Sequence, residues 1–172
     1  MQSQPSVNRR NSHPVLSQTQ NNTTLWIGHL ETDHYDHFAG QTFQCPADGL
    51  LNNIQIYSSV VHQPGDMGLT IHEFDNTSKA WGPALGEAVY SLHKGDDDGR
   101  WIRFNLDPVS LKKNGMYGFR LKTTDALIGI GEAAGHAKNP FGLGHEWKGD
   151  SHNEKGYYLS YFSLMFKVEL CA

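Results

Sequence analysis

Residues 100–122 read RWIRFNLDPVSLKKNGMYGFRLK, and their side chains alternate in character. Ile102, Phe104 and Leu106 are apolar against Trp101, Arg103 and Asn105. Further on, Tyr117, Phe119 and Leu121 are apolar against Gly118, Arg120 and Lys122. A period of two with one polar face is the pattern of half-buried antiparallel strands, whose successive side chains point to opposite faces. The same alternation returns on both sides of this segment. Ile54 and Ile56 oppose Gln55 and Tyr57, and Leu164, Phe166, Val168 and Leu170 oppose Met165, Lys167 and Glu169.

The pattern predicts strands over 24–30, 41–45, 50–58, 68–74, 85–92, 101–106, 116–122, 127–131 and 158–170. Each is bounded by clusters of Gly, Pro, Asn or Asp. No amphipathic helical window of useful length appears; single helical turns fit only 132–137 and 108–112. Eight or nine strands in about 150 residues predict an all-β, two-sheet antiparallel sandwich of jelly-roll type. A closed barrel is the alternative, but unequal strand lengths and long loops favour the sandwich. No fixed-period repeat is present, which excludes propellers and solenoids.

At 172 residues the chain suits one domain. The first 23 residues are rich in Gln, Ser, Asn and Thr, and we read 1–23 as a disordered leader or linker and 24–172 as the β-sandwich domain. No apolar segment follows Arg9-Arg10, so the leader does not read as a signal peptide. The net charge is −4 and Lys and Arg never run beyond a pair, which argues against a nucleic-acid binder. No stretch of eighteen apolar residues exists, so the chain is not expected to span a membrane as a helix.

Three stretches carry a family resemblance: GQTFQCPADGLLNNIQIY, GLTIHEFD and the segment 100–122. Their order resembles that of galactose-binding-like jelly rolls of the carbohydrate-binding-module type, over roughly residues 40–170. The matching positions are Trp101, Phe104 and Leu106, followed by Gly115, Tyr117, Phe119 and Leu121. The resemblance implies a β-sandwich, an extracellular or cell-surface setting and glycan binding. Because the matching positions are core and turn residues, it transfers no ligand contact to this chain. Modules of this type often carry a structural Ca²⁺, so the resemblance admits one here without assigning its ligands.

Candidate ligand-binding residues come from the loops. Strand parity places 46–49, 75–84, 107–114 and 132–157 at one end of the sandwich. There Trp81 meets a long segment without evident regular structure, 132–157, that holds His136, Asn139, His145, Trp147 and Asp150. Loops of such length are usually functional or disordered. Indole faces stack on sugar rings, while Asp, Asn and His bond sugar hydroxyls. We therefore take Trp81, His136, Asn139, His145, Trp147 and Asp150 as the candidate site. The alternative has Trp147 folding back to cover the sandwich end. Trp101 is a second candidate platform, but stacking with Arg103, core packing or cover by a neighbouring loop gives it a structural role, which is the reading we adopt.

The ten histidines raise the question of metal. His34 and His37 sit with Glu31, Asp33 and Asp36 in ETDHYDHF, a donor set suited to Zn²⁺. The spacing is common by chance, and scattered surface histidines are the reading we adopt, with no metal site assigned. His145 and His152 are too far apart in sequence for an H-E-x-x-H motif. Asp96-Asp97-Asp98-Gly99 reads as an acidic turn rather than a Ca²⁺ loop. Nucleophile motifs are absent, and Glu73, Glu87 and Glu132 are the strand carboxylates from which a hydrolytic pair would be drawn.

Two cysteines, Cys45 and Cys171, follow an early strand and end the last. If those strands adjoin, a bridge would close a loop of about 127 residues, worth roughly 5 kcal/mol. Two separate buried thiols are the alternative. The sequence thus predicts a non-catalytic module binding a poly- or oligosaccharide or a cell-surface glycan. Its rivals are a polysaccharide-active or metal-dependent β-sandwich enzyme and a structural or adhesive interaction module.

Overall fold

A computed structural model describes residues 12–171. Every regular element in it is a strand: β1 (Ser12–Gln18), β2 (Thr23–Leu30), β3 (Tyr35–Gln44), β4 (Gly49–Gln63), β5 (Gly65–Asp75), β6 (Ala80–Leu92), β7 (Arg100–Leu111), β8 (Met116–Thr123), β9 (Leu127–Ala134), β10 (Glu146–Asp150), β11 (Tyr157–Leu159), β12 (Phe162–Leu164) and β13 (Phe166–Cys171). All pairings are antiparallel. No helix among the described residues is long and apolar enough to cross a membrane.

The strands hydrogen-bond in the order β1-β13-β4-β9-β2-β3-β8-β5-β6, with β7 on β4, β12 on β9, and β10 on β3 carrying β11. The all-β antiparallel expectation therefore holds. The layering differs: thirteen strands form one continuous sheet curled into an open half-barrel, in place of eight or nine strands in two sheets. The reason lies in β4. Its first part pairs with β13 and β7, and its end pairs with β9. Register shifts at 51/53, 58/60 and 61/63 bend it so that one strand serves both walls. An extra residue in one strand of a pair kinks and twists it, which is how a sheet turns a corner without breaking its ladder.

The alternating segment behaves as its pattern dictates. Ile102, Phe104 and Leu106 are buried, while Arg103 and Asn105 are exposed. Phe119 and Leu121 face the same interior from β8. Phe166 on β13 gathers Phe43, Phe119 and Phe141 around it, with ring centroids 5.0–6.4 Å apart. Fully burying each such side chain contributes about 1.5–3 kcal/mol, so this cluster holds the two walls of the curled sheet together.

One reading of the termini changes, and one left open is decided. Ser12–Gln18 is not a disordered leader: it forms β1 on the edge of β13. Its main chain pairs with that edge, Leu16 is buried, and the Gln18 side chain donates to Leu164 O. Composition undervalued a segment stabilised chiefly by backbone pairing. Residues 1–11 of the proposed leader lie outside the described residues, and Thr23, its last, already belongs to β2. Cys45 and Cys171 are both buried free thiols, the second of the two readings.

Candidate functional site

The six candidate residues do not form one open cleft. Trp81 and Trp147 do meet, with ring centroids 5.7 Å apart at 63°. On β3, Ala39 and Phe43 face the core, so by alternation Phe38 and Gly40 face outward. Trp147 pairs with Gly40 and stacks on Phe38 on that outer face. Trp81 lies over Gly118, where an added Cβ would sit 2.6 Å from the indole. The Arg120 guanidinium packs against both indoles, 4.2 Å from the Trp81 ring and 4.8 Å from that of Trp147.

Trp147 is only 1% exposed. The turn 151–156 folds over it, and its Nε1 donates to Lys155 O at 3.1 Å. Gly156 adopts φ +66° there, and a Cβ at that position would lie 2.7 Å from the indole nitrogen. The fold-back reading of Trp147 is thus the observed one: it is the centre of a small second core and presents no face to a ligand. Trp81 is half-buried, with Arg120 against its ring and His72 and Phe74 edge-on to it. An open depression of about 270 Å³ beside it is lined by Glu73, Phe74, Asp75 and Gly82. Asp75 accepts hydrogen bonds from Thr77 N and Ser78 N, so its carboxylate shapes the hairpin turn.

The remaining candidates separate. Asn139 donates to Gly144 O and accepts from Phe141 N, which fixes the loop before β10. His145 lies 3.5 Å from Asn139 and exchanges hydrogen bonds with Thr42. Burial, with the charge of Lys79, holds the His145 imidazole below its ordinary pKa. His136 is exposed. Asp150 ends β10, at the far end of that strand from His145, accepting from His152 N and Asn153 N through Oδ1. Trp101 finds its cation in Lys167, 4.1 Å from the ring, in place of Arg103. In the acidic turn, Asp97 accepts from Tyr90 and from His93 N, and Asp98 from Val61 N.

A second depression, of about 70 Å³, unites residues that the sequence keeps apart. Trp26, Phe38 and Tyr157 supply its apolar surface, and His37, Lys148 and Asp150 its polar groups. Trp26 is 36% exposed and Tyr157 53% exposed, so both rings are available to a ligand. His37 Nε2 is held by Asp33 Oδ2 at 2.6 Å, which orients the ring. Sequence reading missed Trp26 and Tyr157 because one lies in an early strand and the other at the end of a presumed loop; they come together through the β2–β3, β3–β10 and β10–β11 pairings.

Behind Lys148 lies a buried carboxyl pair. Lys148 Nζ is 3.2 Å from Glu132 Oε2 and 3.7 Å from Glu146 Oε2. Glu146 is fully buried and Glu132 nearly so. Burial, with the neighbouring Glu132 carboxyl, pushes Glu146 up to about 10, against the opposing charge of Lys148. Two carboxyls this close and this dry cannot both ionise beside one lysine. The pair therefore keeps a proton at neutral pH, and Lys148 stands between it and the groove.

No protein-family model matches this chain, and no curated protein matches it significantly.

Proposed function

We propose that this chain is a non-catalytic module that binds a poly- or oligosaccharide in the groove between Trp26 and Tyr157. The single observation that carries this reading is the convergence of two exposed aromatic rings with His37, Lys148 and Asp150 around one shallow depression. Aromatic faces take the apolar side of a pyranose, and convergent polar groups bond its hydroxyls. The groove is shallow, so a single site buries little ligand and binds weakly. A repeating polysaccharide, presenting many equivalent sugars, suits such a site. The setting we propose, extracellular or at a cell surface, follows from that ligand and from the likeness to galactose-binding-like jelly rolls.

The groove residues fit binding better than hydrolysis. A glycosidase needs two carboxyl groups flanking the scissile bond. Glu132 and Glu146 are sealed from the groove, while Asp150 is the groove's own carboxylate.

Affinity electrophoresis through gels containing plant, microbial and animal polysaccharides tests the proposal. Retardation by at least one glycan, lost in Trp26→Ala and in Tyr157→Ala, is the expected result. Reducing-end release would favour the enzyme instead. Concentration-dependent self-association lost in Tyr157→Ala, without glycan retardation, would favour an adhesive module.

A further inference from the structure

We propose that the β2–β3 hairpin is a binding site for a divalent transition metal, of the Zn²⁺ type, with His29, Glu31 and His34 as its protein ligands. One ligand atom from each of these exposed residues lies within 4.8 Å of the other two. His29 Nε2 and Glu31 Oε1 are already 3.9 Å apart. Ligand atoms around tetrahedral zinc, at bond lengths near 2.0–2.1 Å, are about 3.3 Å apart. Small rotations of exposed side chains close the remaining distance.

The backbone explains the convergence. His34 N donates to Leu30 O at 2.8 Å, closing a five-residue turn that brings positions 31 and 34 together at the end of β2. His34 itself adopts φ 63°, a left-handed conformation that favours glycine. Histidine is among the few non-glycine residue types enriched in that conformation, so the turn accommodates the imidazole. Tyr35 N donates to Asp33 Oδ1, which fixes the far side of the turn.

The surrounding carboxylates sort the histidines. Asp36 Oδ1 lies 2.9 Å from His29 Nδ1. With Nδ1–H donated to that carboxylate, the lone pair of Nε2 is directed away from it, toward Glu31. This carboxylate–histidine arrangement fixes the tautomer and raises the basicity of a metal-ligating nitrogen. His37, by contrast, is engaged through Nε2 with Asp33, so the H-x-x-H pair seen in the sequence is not the pair that converges. Residues 23–44 hold three histidines and three carboxylates and no Lys or Arg, so nothing in the hairpin repels a dication. Two imidazoles and one carboxylate leave a fourth position for water and suit zinc, nickel or copper; Ca²⁺ prefers six to eight oxygens.

Isothermal titration of the tag-free protein with Zn²⁺, paired with Co²⁺ absorption, tests the site. One metal per chain is expected, with the visible bands of a low-coordinate cobalt site and no competition from excess Ca²⁺. His29→Ala and His34→Ala should each abolish the specific phase. Asp36→Asn should weaken it by about 10–100-fold while leaving the ligands in place. His93→Ala should change nothing. Circular dichroism of each variant confirms that these exposed substitutions leave the fold intact. Failure to bind one Zn²⁺, or binding unchanged by His29→Ala and His34→Ala, or effective competition by Ca²⁺, would overturn the proposal. Because glycan retardation is read without metal, this result and that of the groove stand independently.

Discussion

Trp81 and Trp147 lie edge to face, 5.7 Å between centroids, with the Arg120 guanidinium packed against both rings. The indoles come from β6, at one end of the sheet path, and from β10, which pairs with β3 off that path, and each rests near a glycine of a neighbouring strand, Gly118 and Gly40. What a sequence reader takes for a pair of sugar platforms is a second core on the outer face of the sheet. Its work is to fix β10 and the turn 151–156, and through them the groove residues Lys148, Asp150 and Tyr157.

Trp147→Ala should therefore destabilise the protein by about 3–5 kcal/mol, the usual cost of deleting a buried large aromatic. Urea denaturation of the variant measures it. Trp26→Ala, at a partly exposed ring, should cost less than about 1 kcal/mol while removing glycan retardation. Equal loss of stability in the two variants would contradict the division between core and groove.

Gly118 underlies Trp81 with no room for a methyl group, since a Cβ would approach within 2.6 Å of the ring and 3.2 Å of Gln41 O. Gly118→Ala should displace the indole and cost about 1–3 kcal/mol by overpacking. The same denaturation experiment, with Trp fluorescence followed at equilibrium, reports both effects.

The carboxyl pair predicts a pH dependence of known sign. Glu146 is raised from 4.5 to about 10 in the folded protein, first by burial and then by the Glu132 carboxyl. The folded state thus keeps a proton that the unfolded chain releases. The stability linked to this proton is complete below the unfolded value and is lost as pH rises toward the folded one. Glu146→Gln, which keeps the neutral form at every pH, should flatten that slope and raise stability at mildly alkaline pH by about 1–3 kcal/mol. Lys148→Met should act oppositely, costing about 1–3 kcal/mol because it strands Glu132; the lysine's 24% exposure moderates the effect. Unfolding free energies across the pH range decide both.

Cys45 and Cys171 are separate buried thiols, and burial pushes the Cys45 thiol up. A thiol reagent should find no fast-reacting group in the native protein and two in denaturant. One disulfide and no titratable thiol in denaturant would contradict the structure.

Much of the fold was legible because it is local. Ile102, Phe104 and Leu106 announce β7 by alternation, and the same logic finds β8 and β13, the latter as the last part of the single strand expected over 158–170, which the structure divides into β11, β12 and β13. What was hidden depends on pairings between distant segments. β10 reads as loop because Gly149 and three charged residues fill four of its five positions, and only its pairings with β3 and β11 make it a strand. Glu146 and Lys148 alternate with Trp147 in that strand, yet Glu146 is fully buried, opposite to the usual sense of an amphipathic strand. The continuous half-barrel was hidden for a similar reason: bulges in β4 decide it, and the residues at 51–53 and 58–63 look like ordinary strand. Of the candidate site, Asp150 alone lines the groove, since the two residues that make it aromatic, Trp26 and Tyr157, carry no motif.

The most direct test of the account is a ¹H–¹⁵N titration of the four tryptophan indoles with an oligosaccharide fragment of whichever glycan retards the protein. The account predicts that the Trp26 indole resonance moves with saturation while the buried Trp147 resonance stays in place. Saturable binding that leaves Trp26 unmoved and shifts Trp81 or Trp101 would contradict it.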